Sequence, residues 1–138
     1  MGETKGDFRL TTLPTERFVF RGPFKDRVSQ DLKLTNDKDK RRAYKVNCTN
    51  NSLFRIRPAV GILEPNKSAV VTVTLSALEH TPPNDHHYFW ICHIAAPNSK
   101  KDGRTSWREH KGEPEGMRKM MIDFIDRIPV TETYVSRV

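Results

Sequence analysis

His86 and His87, followed by Cys92 and His93, are the residue types in this chain that come nearest to a metal-ligand set. A structural zinc site needs four such donors converging on one point. Along an extended strand, adjacent side chains point to opposite faces, so His86 diverges from His87 and Cys92 from His93. No metal site is therefore expected. Serine, histidine and carboxylates are all present but scattered, and no G-x-S-x-G turn exposes a nucleophile. Gly22, Gly61, Gly103, Gly112 and Gly116 stand alone, so no glycine-rich loop could cradle a phosphate. The chain reads as a non-enzyme with no catalytic residues and no cofactor.

Charge points toward partners instead. Lysine and arginine number 24 against 17 aspartates and glutamates, for a net charge of +7 over 138 residues, which favours acidic partners. The densest basic run, Lys38-Asp39-Lys40-Arg41-Arg42, lies between two strand-like segments and is expected to be a solvated turn. Neither stacking aromatics nor a basic recognition helix accompanies it, so nucleic acid is not an expected partner. No stretch approaches the ~20 apolar residues of a membrane-spanning helix, and the charged start Met1 to Asp7 is not a signal peptide. A soluble, cytoplasmic protein without membrane insertion is expected, with Cys48 and Cys92 as buried, reduced thiols.

The elements that must position any binding residues are short strands. Phe18-Val19-Phe20 is the first, broken by Arg21-Gly22-Pro23. Leu32 and Leu34 alternate with charged neighbours, and Tyr44, Val46 and Cys48 alternate with Lys45, Asn47 and Thr49, leaving the polar set outside. Phe54 to Pro58 alternates again, Gly61 to Lys67 carries turn residues, and Ala69 to Leu75 is the clearest strand. Glu79 to Asp85 reads as a loop, with the isomer of the bonds before Pro82 and Pro83, as of that before Pro23, left open. Tyr88 to Ala96 is an aromatic-rich strand, Asn98 to Gly116 a long polar loop or short edge structure around Trp107, and Met117 to Ile125 the last strand. With no convincing long helical period, this is an all-β pattern with helix as a minor component at most.

Phe20-Arg21-Gly22-Pro23-Phe24, Leu32-Lys33-Leu34-Thr35-Asn36, Tyr44-Lys45-Val46, Arg57-Pro58 and Gly61-Ile62-Leu63-Glu64-Pro65 follow one another in an order that resembles the major sperm protein (MSP) domain. That family includes the nematode sperm cytoskeletal proteins and the VAP (VAMP-associated) proteins. The resemblance implies a seven-stranded immunoglobulin-like β-sandwich of the MSP/PapD-like type over residues 8–126, between a flexible N-terminus (1–7) and a C-terminal tail (127–138). It also implies a non-catalytic protein that works by protein–protein interaction. The leading expectation is a cytoplasmic, cytoskeleton-associated component of nematode sperm motility, binding protein partners or itself as a homodimer. The alternative is a VAP-like adaptor for short acidic phenylalanine-containing (FFAT-like) peptides, though nothing after Thr131 resembles the VAP coiled coil and membrane anchor.

In VAP proteins the peptide surface includes K-V-K-T-T, which falls here on Lys45-Val46-Asn47-Cys48-Thr49, and H-K-F-M-V, which falls on His87-Tyr88-Phe89-Trp90-Ile91. Loss of cationic contacts at these positions predicts weaker capture of an acidic tract. With Phe89 and Ile91 facing the core, Tyr88 and Trp90 face outward as two residues of the kinds enriched in binding hot spots. Either they are open to a partner or the loop from Asn98 to Gly116 folds over them. The candidate binding face is Lys45, Asn47, Thr49, Tyr88, Trp90 and Arg118. A separate feature is the ending Ser136-Arg137-Val138, which matches the terminus that PDZ domains take up by strand addition.

Overall fold

Strands that alternate between apolar and polar residues must bury one face, and two such sheets laid face to face satisfy each other. The computed structural model describes residues 4–126 and has this arrangement. The strands are β1 (Thr4–Gly6), β2 (Thr11–Leu13), β3 (Arg17–Arg21), β4 (Val28–Asn36), β5 (Arg42–Cys48), β6 (Phe54–Arg57), β7 (Val60–Leu63), β8 (Lys67–Leu75), β9 (His87–Ala95) and β10 (Gly116–Ile125), with one helix, α1 (Gly103–Glu109), before β10. One sheet runs β1-β10-β9-β5-β7, with β3 lying parallel beside β10, and the other runs β2-β4-β8-β6. Among the described residues no helix is long and apolar enough to cross a membrane.

The seven expected strands correspond to β3, β4, β5, β6, β8, β9 and β10. The three additions are short. β1 falls in the expected flexible N-terminus and pairs with Gly116–Arg118. β7 replaces part of the expected turn and pairs with β5. The tail from residue 127, with its PDZ-type ending, lies outside the described residues.

Phe18, Phe20, Phe54, Phe89 and Phe124 form the centre of the core, with ring centroids 5.1–6.2 Å apart. Leu32, Leu34, Val71, Val73 and Leu75 close it from the four-stranded sheet. The peptide bonds before Pro14, Pro23 and Pro58 are cis.

Two expectations need correction. The basic run is not a fully solvated turn: Lys38 to Lys40 are exposed, but Arg41 pairs with Glu64 at 2.8 Å and Arg42 is buried at 2% exposure. Arg42 can be buried because its guanidinium donates to both oxygens of Glu115 (2.9 and 3.2 Å) and to Asn36 Oδ1 (3.3 Å). Cys48 is only half-buried, with its thiol against Asn51, whereas Cys92 is buried.

The long polar loop also contains α1. Asp102 caps it by accepting the Thr105 N–H at 2.8 Å, and the His110 N–H closes the other end on the Trp107 carbonyl. A side chain on Gly103 would stand 3.1 Å from the backbone of Gly61, and one on Gly61 would stand 2.6 Å from the Tyr44 ring. These two glycines let the helix settle onto β7. Trp107 then packs with Ile62 against Ala43, Ile94 and Ala96, and its indole N–H donates to the Tyr44 carbonyl at 3.1 Å.

Candidate protein-docking face

Strand pairing decides which side chains share the outer surface of the larger sheet, because directly opposed residues point the same way. Phe89, Ile91, Met120 and Ile122 are buried in the core, so their neighbours along β9 and β10 point outward. Lys45 lies opposite Cys92, and Cys92 opposite Met117. Asn47 lies opposite Trp90, and Trp90 opposite Lys119. Tyr88 lies opposite Met121, and its carbonyl accepts the Thr49 N–H at 3.3 Å.

Five of the six candidate residues therefore gather on one face: Lys45, Asn47, Thr49, Tyr88 and Trp90. Arg118 does not join them. It lies opposite Ile91, one residue out of phase, on the face of β10 that carries the core side chains. Lys119 occupies the position assigned to it. The missed residues Met117, Lys119 and Met121 follow from the alternation of Met120, Ile122 and Phe124, three apolar residues two apart that mark the inner face.

Tyr88 and Trp90 are half-buried, and the helix of the segment from Asn98 to Gly116 packs through Trp107 against Ala43, Ile94 and Ala96 at the far end of the same face. They pack on each other edge to face, with ring centroids 4.7 Å apart at 68°. Lys119 Nζ lies 4.0 Å from the Tyr88 ring centroid, and Lys45 Nζ lies 4.8 Å from that of Trp107. Thr49 Oγ1 is 2.8 Å from His87 Nδ1, which fixes the edge of the patch.

The face is cationic. Neither Lys45 nor Lys119 has a carboxylate within 4 Å among the described residues. The nearest acid along β10, Asp123, is held by Arg17 at 2.6 and 2.8 Å, and these hydrogen bonds keep its carboxyl below the usual range. Such a surface can stack an aromatic or apolar side chain on Tyr88 and Trp90 and hold acidic groups beside it.

The residues first weighed as metal ligands serve other contacts. Burial, then the charge of His86, lowers the pKa of His87, which bonds Thr49. His93 is buried at the other end of β9, between the Arg9 N–H and Glu115. Cys92 lies on the outer face, where burial pushes its thiol up and Lys45 partly offsets that.

The sequence profile of the MSP (Major sperm protein) domain matches residues 9–114. The chain is 33% identical over 99 residues to human vesicle-associated membrane protein-associated protein A, covering 71% of this chain and 40% of that protein. It is 38% identical over 118 residues to the vesicle-associated membrane protein/synaptobrevin-binding protein of Aplysia californica, covering 84% of this chain and 45% of that one. It thus spans less than half the length of these relatives. Among solved structures it is similar to SSP-19, an MSP-domain protein of Caenorhabditis elegans, with a TM-score of 0.67 at 22% identity over 83% of this chain and 98% of that one.

Proposed function

Since the chain belongs to the MSP (Major sperm protein) domain family, we propose that this non-catalytic interaction domain captures a partner's extended acidic segment, with an aromatic anchor, on the outer face of β5, β9 and β10. The observation that carries this reading is the Tyr88–Trp90 pair set between Lys45 and Lys119, two cations without an acid partner within 4 Å among the described residues. Aromatic rings supply anchoring area and uncompensated lysines favour carboxylates. The residues that differ from the VAP motifs make this a modified site, in which stacking takes over part of the work of the replaced cations.

This reading prefers the adaptor over the sperm cytoskeletal subunit. The relatives at 33–38% identity are vesicle-associated membrane protein-associated proteins, whereas the likeness to SSP-19 is one of fold. The discriminating experiment pairs two measurements on one sample: fluorescence anisotropy with a labelled acidic peptide containing phenylalanine, and sedimentation of the protein alone from micromolar to near-millimolar concentration. Saturable binding that weakens with added salt, by a monomeric protein, is expected. Absence of peptide binding together with concentration-dependent assembly would overturn the adaptor reading in favour of a self-associating one.

A further inference from the structure

The first described residues cross the fold as a short strap. β1 has three residues, all exposed, and pairs with Gly116–Arg118 at the edge of β10. Asp7 continues that pairing by donating its N–H to the Glu115 carbonyl at 3.0 Å. The strap passes directly over Gly116, where a side chain would stand 2.6 Å from the Asp7 carbonyl and 2.7 Å from Phe8 Cα. A three-residue strand that buries no side chain holds itself poorly, so its anchor lies further along. Phe8 is half-buried with its ring 5.3 Å from that of His93, and the Arg9 N–H donates to His93 Nε2 at 2.8 Å. Leu10, buried at 6% exposure, begins the part of the chain fixed in the core.

His93 can hold the strap only while its ring is neutral. Nδ1 lies 2.9 Å from Glu115 Oε1 and carries the ring proton, which leaves Nε2 as the acceptor for Arg9. A second proton, on Nε2, would set one N–H against another and break that bond, while the contact to Glu115 survives. We propose that residues 4–9 form an acid-released strap, latched by neutral His93 and freed when His93 takes up a proton, which bares the edge of β10 at Gly116–Arg118. The groups that face the ring are Glu115 just ahead of β10, Arg42 and Tyr44 on β5, and Asp7 and Arg9 on the strap. Tyr44 is committed to the Pro58 carbonyl, and the Arg9 guanidinium pairs with Asp7. Burial, the largest influence, lowers the pKa of His93, Glu115 raises it, Arg42 lowers it and Asp7 raises it, with a net fall. Burial would raise the Glu115 carboxyl, but the hydrogen bonds and charge of Arg42 and His93 outweigh it and hold Glu115 below the usual range. Glu115 therefore stays ionised while His93 titrates. Lifting Phe8 and Arg9 lets water reach the ring and brings its pKa back toward ~6.5. Opening of the strap thus takes up a proton, so the latch is complete above pH ~6.5 and weakens as pH falls from there. The bared edge offers unpaired backbone N–H and C=O groups beside Met117 and Lys119, a template that an extended chain can join.

Amide hydrogen exchange read by NMR on the full chain, corrected for the intrinsic rate at each pH, tests the latch. Protection of the Asp7 and Arg9 amides should fall by roughly fivefold or more between pH 7.5 and 5.0. Urea below the unfolding transition should speed exchange at Phe89 and Ile91 in the core and leave Asp7 and Arg9 unchanged, because the strap opens locally. In H93Q, whose amide keeps both contacts and takes no second proton, protection of the strap should not vary over that pH range. In G116A, whose methyl group meets the strap, Asp7 and Arg9 should lose protection already at pH 7.5, and the His93 ring resonances should titrate closer to pH ~6.5 than in wild type. Strap protection that is constant with pH, that falls equally in H93Q, or that follows Phe89 and Ile91 in urea overturns the proposal. So does a G116A protein with a loosened strap whose His93 titrates as in wild type. Should H93Q fail to fold, the wild type decides: a midpoint of the His93 ring titration that differs from the midpoint of Arg9 deprotection also overturns it.

Discussion

Replacing Glu115 with alanine should unsettle the end of the sandwich that holds β9 and β10 in register. Glu115 accepts two N–H groups from Arg42 at 2.9 and 3.2 Å and stands 2.9 Å from His93 Nδ1. Arg42 is 2% exposed and His93 fully buried. His93 Nε2 accepts the Arg9 N–H at 2.8 Å, so the ring proton sits on Nδ1 and donates to Glu115. Without the carboxylate, Arg42 keeps only Asn36 Oδ1 at 3.3 Å and the Lys40 carbonyl at 3.5 Å, and the imidazole N–H loses its acceptor. Breaking a buried ion pair costs about 3–5 kcal/mol. Glu115 keeps 27% side-chain exposure, so water can partly replace it and the low end, about 3 kcal/mol, applies. That corresponds to a fall in Tm of roughly 10 °C for a domain of this size. Urea unfolding of E115A, E115Q and the apolar pair R42M/E115L decides the matter. E115A should lose the most, E115Q less, and R42M/E115L should recover at least half of the E115A loss, because removing both charges leaves none stranded. A loss below about 1 kcal/mol in E115A, or a double variant no better than E115A, would refute the reasoning.

The same network predicts a pH dependence. Burial, the largest influence, lowers the pKa of His93 despite the opposing pull of Glu115. The unfolded chain therefore takes up the proton first, and the contribution of His93 to stability is complete above pH ~6.5 and declines as pH falls from there toward its folded value. Urea midpoints at pH 7.5, 6.5 and 5.5 should fall across that range, and more shallowly in H93Q, whose amide can keep both contacts. G61A should cost about 2 kcal/mol, read by thermal melting, because the new methyl group meets the Tyr44 ring at 2.6 Å. W107F should cost about 1 kcal/mol for the lost hydrogen bond to Tyr44 and W107A about 3, with amide exchange in α1 accelerating only in the second.

Seven strands were legible because each alternates or carries a β-branched run that no helical period imitates. Phe89 and Ile91 are buried as alternation required, and that placed Tyr88 and Trp90 outside. α1 was not legible, since Gly103 to Glu109 holds a single large apolar residue and so has no periodic stripe. Its one local signal was Asp102 three residues before Thr105. Arg118 was misplaced because its motif gave an approximate position, while pairing has a period of two and a slip of one residue reverses the face. Arg42 sat in a charge run that looked solvated, because the partner that permits its burial lies 73 residues away. The strands β1 and β2 have three residues each, too few to carry a pattern, and β7, as long as β6, was hidden because its residues run into the turn signals from Gly61 to Lys67.

The docking face is tested most directly by mapping NMR shifts of the backbone amides and tryptophan indoles during titration with the acidic phenylalanine peptide. The expected perturbations fall on Lys45 to Thr49, Tyr88 to Cys92 and Met117 to Met121, with the Trp90 indole among the largest, and Y88A/W90A weakens binding at least tenfold. Shifts centred on Leu13, Lys33 and Val70 of the four-stranded sheet, or unchanged affinity in Y88A/W90A, would contradict it.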